Sequence, residues 1–492
     1  MPVSLLIALF LAFGTDAILP PAPIPRAAVA PRLLGAAAEV GLVGLVALAF
    51  GAAVAVTARA GRRGRPTPGL RRLNAAGTRL VGLLTLGGYA WVIFGLGWAE
   101  VVRSGLGLRD SILADELMVL LPFLLAQVAG WWGLYPAERA LREADPGGRR
   151  PAGVVRHLVL KARQTLGMVL PAALIFSLGQ DLARRGWPGS ADDAGFQIAM
   201  MAAMGAVVLA LAPAFVRLSW PTRPLPAGPL RDRLERLARR FGFRCTDILV
   251  WDTEGAVVNA GVTGALPWFR YVLLTDALIE GLNEHEVAAV FGHEVGHVRH
   301  RHLAFFGLFF VGSMGVLTLA GDLLSGQVLQ GAGFLPGPTA TAVAQGAVVL
   351  ALALAYFGSV FGLLSRRFER QADVFGCRAV SCDRPDCPPH PDLYSRAADV
   401  PASGPLCPVG IRIFANALMN VALLNGMEPS ARSWRHGSID RRIAFVEGLE
   451  GKPEAERRFQ AGTSRLRVVL AFALIATLVV AFRTGAIDHL GP

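Results

Sequence analysis

Long apolar runs alternate with short polar ones along most of this chain. Nine stretches, near 3–19, 35–57, 80–98, 117–134, 165–182, 196–216, 303–322, 341–364 and 467–482, are strongly apolar and nearly free of charge. A helix needs about 20 apolar residues to cross a hydrocarbon core roughly 30 Å thick. The pattern therefore predicts a mainly α, multi-pass transmembrane protein: about six spans in an N-terminal membrane region at 1–216, a helical hairpin at 303–364, and a C-terminal helix and tail at 467–492. The first run contains Asp16 and no basic residue precedes it, so it reads as an uncleaved helix rather than as a secretory signal. Pro122, Pro171 and Pro213 lie inside apolar runs and predict kinks.

Two segments, 217–302 and 365–466, break the membrane rhythm. After the Pro-rich stretch Pro221 to Pro229, Leu230, Leu234, Leu237 and Phe241 recur at helical spacing and predict an amphipathic helix. ILVWD at 248–252, AVVNA at 256–260 and YVLLT at 271–275 read as short strands, and a helix is expected from Asn283. In the second segment LSRRFERQADVFG is helix-like, an insert rich in Cys and Pro occupies 377–409, and helices resume through 447. The two segments together predict one small α+β domain whose halves are separated by the hairpin.

Composition agrees with a membrane class: 53% of residues are hydrophobic and only 17% are charged, against about a quarter charged in soluble domains. The net charge of +12 is almost all Arg, since Lys161 and Lys452 are the only lysines. Its placement excludes a nucleic-acid face. Arg59, Arg62, Arg63, Arg65, Arg71, Arg72 and Arg79 fill one loop, and Arg139, Arg142, Arg149, Arg150, Arg156, Lys161 and Arg163 fill the next but one. That alternation is the positive-inside pattern. The loop near 99–116 mixes both signs and 323–340 is uncharged, so both are expected outside, with 217–302 and 365–466 on the cytoplasmic side. The Arg, Ala and Gly bias suggests a GC-rich, bacterial genome, and hence a bacterial inner membrane.

The chemistry lies in HEVGH at His293 to His297. Residues four apart on a helix share a face, so His293 and His297 can offer two imidazoles to one zinc ion. Glu294 projects to one side of the ion, where it can act as general base toward a zinc-activated water. A hydrolytic zinc needs a third protein ligand, and Glu369 in SRRFERQAD is the candidate, with Asp373 four residues on to steady a ligand imidazole.

Four separated blocks carry a resemblance: VVNAGVTG with RYVLLTDALIEGL, NEHEVAAVFGHEVGHVRHRH, SRRFERQADVFG, and WRHGSIDRRIAFVEGL. Together they resemble the integral-membrane zinc metallopeptidases that include the CAAX prenyl endopeptidases and the HtpX-type heat-shock membrane proteases. The resemblance implies a zincin-like domain with His293, His297 and Glu369 as zinc ligands, Glu294 as base and acid, and Asp373 as their outer partner. It further implies that His436 and Arg442 stabilise the oxyanion and bind substrate backbone, although HGS stands here where the family has HPP. Asn259 and Ala260 match the edge strand along which a substrate would be added. The implied activity is endopeptidase cleavage of membrane-associated or misfolded polypeptides, with CAAX-type processing as the alternative. A non-catalytic membrane scaffold or a transporter is the rival of another class. The implied partners are a polypeptide substrate and the bilayer; oligomeric state has no signal.

Cys377, Cys382, Cys387 and Cys407, with His390, form a cluster of loose metal-like spacing, open to a second, structural zinc, to disulfides or to plain packing. The insert is absent from the family pattern and suggests a lid or filter. His300 is expected beside the metal helix without ligating, and His285 and His302 are expected at solvent or an interface. Glu39, Gln127, Gln180, Asp181 and Asp322 are polar within apolar runs and are expected to face a bundle interior or an interface.

Overall fold

The computed structural model describes residues 3–13, 24–60, 68–109, 111–143, 153–167, 169–190, 194–255, 257–327, 351–353, 355–382, 406–431 and 433–483. It divides into two compact units at Pro221/Thr222.

The N-terminal unit is helical: α1 (Val3–Phe13), α2 (Val29–Ala60), α3 (Pro68–Phe94), α4 (Ala114–Glu143), α5 (Val154–Leu166), α6 (Leu170–Gly186) and α7 (Ala194–Ser219). Glycines let α2 and α4 approach closely. A Cβ on Gly51 would sit 2.2 Å from the Gly133 carbonyl oxygen, and one on Gly133 would sit 2.6 Å from the Leu48 nitrogen. Such small-residue contacts are how apolar helices associate where burial from water supplies no drive. Pro122 and Pro213 lie inside α4 and α7. Pro171 does not kink a helix as expected. It opens α6, where its missing N–H has no helical partner to lose, and α5 and α6 meet at a 52° bend.

Among the described residues five helices are long and apolar enough to cross a membrane, or seven if each bent pair counts as one span, and the protein is a multi-pass membrane protein. Nine runs are expected over the whole sequence, and not all of them fall within the described residues. The first run is described only to Phe13, and most of the 323–364 segment lies outside the described residues.

The C-terminal unit begins with a four-stranded sheet in the order β1 (Thr222–Pro224), β2 (Asp247–Trp251), β4 (Tyr271–Thr275), β3 (Ala260–Thr263). β2 and β4 are parallel, while β1 and β3 pair antiparallel at the two edges, with Ala260 opposite Leu274 and Thr263 opposite Tyr271. β1 lies in the Pro-rich stretch that sequence reading left without a strand. The expected strand at 256–260 is instead displaced to 260–263, and side chains explain why. The Val258 N–H donates to Asn425 Oδ1 and the Asn259 N–H to Thr275 Oγ1, so groups a ladder would use are already satisfied.

Around the sheet pack α8 (Pro229–Arg240), α9 (Asp276–Gly281), α10 (Glu284–Arg299), α11 (His302–Gln327), α12 (Gly362–Ala379), α13 (Pro408–Leu424), α14 (Ile439–Glu447) and α15 (Pro453–Arg483). The amphipathic helix read from Leu230 to Phe241 is α8, with Leu234 and Leu237 buried. One core joins sheet and helices through Ile248, Val272, Leu274, Phe291, Val374 and Phe414. Removing a fully buried phenylalanine such as Phe291 is expected to cost about 3–5 kcal/mol.

Candidate metal centre

The helix that carries His293 and His297 starts where the sequence places it. Asn283 caps α10: its side chain accepts from the N–H groups of His285 and Glu286, and Glu286 Oε2 accepts from the Asn283 N–H. This reciprocal capping box satisfies donors that a helix start leaves orphaned. Asn420 of α13 donates to Glu286 Oε1, tying the cap to the core.

Further along α10, Gly292 and Gly296 bring a second helix very close. A Cβ on Gly292 would lie 2.3 Å from Ala379 Cβ, and a Cβ on Gly296 would lie 2.9 Å from Phe375 Cβ. With no side chains there, α12 lies against α10 and delivers Glu369 and Asp373 to the two histidines. His293 Nε2 and His297 Nε2 are 3.2 Å apart, and the Glu369 carboxylate lies 3.7 Å from the first and 3.8 Å from the second. One ligand atom from each residue falls within 4.8 Å of the others, and this is the only such donor cluster among the described residues.

The donor set fits zinc. Two nitrogens on a tetrahedral zinc, with bonds of about 2.0–2.1 Å, lie roughly 3.3 Å apart. Two nitrogens and one carboxylate leave the open fourth position of a hydrolytic site rather than a closed structural one.

Electrostatics keep the Glu369 carboxylate charged. Burial alone would raise the Glu369 pKa, but His436, the Arg442 guanidinium and the two histidines hold it far below the usual carboxylate range. Asp373, fully buried, behaves alike: the Arg442 guanidinium outweighs burial. Arg442 grips Asp373 through two N–H groups, at 2.9 and 2.5 Å, with Glu369 Oε2 at 3.5 Å. Asp373 Oδ1 in turn lies 3.0 Å from His293 Nδ1. Glu294 differs, because burial pushes its carboxyl up to about 7 against the pull of His293. A cation at the three ligands would draw it back down.

His436 reaches the centre on a tight loop, with Nδ1 2.9 Å from Glu369 Oε1. The loop explains HGS: Ser433 and Gly437 pair across it, and Gly437 has φ 76°, which proline cannot adopt. Beside α10 runs β3, an edge strand that pairs on one side only among the described residues. Asn259, exposed, precedes it and its carbonyl accepts from the Thr275 N–H; Ala260 is the first residue of β3.

The structure separates the remaining histidines. His302, expected at solvent or an interface, is 1% exposed. The chain bends by 48° between α10 and α11 at Arg301, whose φ is 55°, and sets the imidazole of His302 against that of His297. His300 stacks on His302. His285 lies 3.5 Å from Arg233. In the insert, Cys377, Cys382 and Cys407 are buried thiols, and no disulfide forms among the described residues. Cys407 Sγ accepts from the N–H groups of Gly410 and Cys382, so it caps α13. Cys387 and His390 lie outside the described residues.

Residues 224–399 match the model of peptidase family M48, a stretch that holds the first three of the four blocks. The chain is 29% identical over 221 residues to the "CAAX prenyl protease 1 homolog" of Arabidopsis thaliana, covering 43% of this chain and 50% of that protein. It is 31% identical over 191 residues to the "Protease HtpX homolog" of Aeropyrum pernix, covering 37% of this chain and 56% of that protein. The chain thus spans about half the length of these curated relatives. A crystal structure of S. mikatae Ste24p aligns over 86% of this chain and 100% of that one, at 15% identity and a TM-score of 0.47.

Proposed function

We propose that this protein is a membrane-embedded zinc endopeptidase that hydrolyses membrane-associated or misfolded polypeptides. The observation that carries the reading is the convergence of His293, His297 and Glu369 with the raised carboxyl of Glu294 beside them.

In this reading zinc, when bound, supplies Lewis-acid polarisation of the scissile carbonyl and acidifies the attacking water. Glu294 takes the proton of that water and passes it to the leaving amine, and a bound cation, by drawing its carboxyl down, would keep it ionised for the first of those transfers. The substrate is added to the open edge of β3 at Ala260, held by main-chain hydrogen bonds, with the exposed side chain of Asn259 bordering it, since the Asn259 N–H and carbonyl already meet Thr275. With its Nδ1 at Glu369, His436 has its other ring nitrogen for the developing oxyanion. Arg442 acts chiefly through Asp373 and Glu369, holding the charges that orient the ligands.

We further propose domain bounds at 217–302 and 365–466 for the two halves of the peptidase domain, facing the cytoplasm from a bacterial inner membrane. The support for sidedness is the Arg pattern of the loops. The test is cleavage of a casein-like or membrane substrate by zinc-loaded protein in detergent. Glu294→Gln should lower turnover by about 10²-fold or more while keeping the metal. Equal turnover by both proteins would refute the mechanism.

A further inference from the structure

The two ligand histidines are backed in different ways. His293 has a carboxylate behind it, Asp373, itself locked by Arg442. His297 has no carboxylate at its Nδ1. It meets the Nδ1 of His302 at 2.9 Å. His302 Nε2 then lies 3.0 Å from Gln371 Oε1, and the Gln371 amide donates at 2.6 Å to Gln460 Oε1 on α15. His302 is held flat against Phe368, with ring centroids 4.2 Å apart and planes within 5°.

The direction of every bond in this chain follows from its far end. Gln371 Nε2 is the donor to Gln460, so Gln371 Oε1 faces His302 and accepts. His302 therefore carries its proton on Nε2, and its Nδ1 is a bare acceptor. The Nδ1 of His297 must then be the donor, which leaves His297 Nε2 unprotonated, and that is the atom 3.2 Å from His293 Nε2 in the donor cluster. We propose that His302 is a positioning residue of the metal centre: with Gln371 and Gln460 it fixes the tautomer and ring plane of His297, so that the ligand nitrogen is offered before any metal arrives. The inference rests on the metal reading above.

The division is chemically sensible. A carboxylate behind each imidazole would add a third buried negative charge to a site that already holds Glu369 and Asp373. A neutral imidazole and two amides orient His297 without adding charge. Partners of this kind are worth about 10–100-fold in metal affinity.

The test is zinc affinity, read on full-length protein in detergent by titration against a competing chromophoric chelator. His302→Leu removes the acceptor and should weaken zinc binding about 10–100-fold. His302→Asn places an amide oxygen near the lost Nδ1 and should recover most of the affinity, a rescue that a purely space-filling role would not give. Gln371→Met leaves His302 in place but removes both the acceptor of its far proton and the donor to Gln460, so it should weaken binding by about tenfold, the lower end of that range, and it decides the matter should His302→Leu fail to fold. Zinc affinity within twofold of wild type in a folded His302→Leu, or in Gln371→Met, overturns the inference, as does an Asn variant no better than Leu. Failure of the wild-type protein to bind zinc would instead remove the metal reading itself.

Discussion

Replacing Gly292 by alanine sets a gain against a loss. An exposed helical glycine changed to alanine gains about 1 kcal/mol. At Gly292 the new carbon would stand 2.3 Å from Ala379 Cβ, whereas carbons in contact rest about 3.5–4.0 Å apart. The α10–α12 separation must therefore open by roughly 1.2–1.7 Å at that point. Overpacking of this kind costs about 1–3 kcal/mol, so the net effect is a loss of up to about 2 kcal/mol. The metal should feel it more sharply than the fold does. Two ligands sit on α10 and the third on α12, and ligand distances tolerate only about 0.2 Å. We expect zinc affinity to fall at least tenfold, measured by competitive titration, with a modest drop in melting temperature of the zinc-free protein. Gly307→Ala, on α11 with nothing within 4 Å of the added carbon, is the control and should leave both unchanged or slightly improved. A Gly292→Ala protein that binds zinc like wild type and melts no lower would refute the claim that glycine sets the spacing of the two ligand-bearing helices.

Other outcomes follow from the same geometry. Arg442→Leu leaves Asp373 buried without its cation and should destabilise the C-terminal unit by about 3–5 kcal/mol in denaturant melts; removing both charges, as Arg442→Leu with Asp373→Asn, should return much of that loss. Cys407→Ser keeps the acceptor that caps α13 and should be near neutral, whereas Cys407→Ala should cost about 1 kcal/mol, and neither should change the zinc content. Asp276 accepts from the Thr253 hydroxyl and N–H and from the Gly255 N–H, and these bonds outweigh burial to hold its pKa below the usual value. Its contribution to stability should be full above about pH 4 and be lost as pH falls through the lowered folded value. Asp276→Asn should therefore flatten the acid limb of a melting-temperature profile.

Much of the centre was legible because local rules and distant geometry agree in it. The HEVGH spacing, the helix start at Asn283 and the Glu369/Asp373 pair each need only local sequence pattern, and the family likeness joined them across the intervening apolar segment. What escaped depends on turns and on side chains that replace backbone partners. The helix break at Arg301 cannot be read from HVRHRH, so His302 looked unattached. Asn425 and Thr275 take the hydrogen bonds of 258–259, and so the strand begins later than its apolar run. Two short bonds from Arg442 to Asp373 show where its charge goes, a matter on which a sequence position is silent.

Helix α15 carries a consequence for where this protein can work. Its polar half, from Glu456 to Arg467, meets the metal domain at Arg378, Gln371, Arg367 and the His300 carbonyl, while the helix as a whole is long and apolar enough to cross a membrane. A helix that long adapts to a thinner bilayer by tilting. Being rigid, it would carry that tilt into the row of contacts behind His297. Lipid chain length would then act as a tuning variable for metal retention, and reconstitution into short-chain and long-chain vesicles should give different zinc off-rates for the same protein.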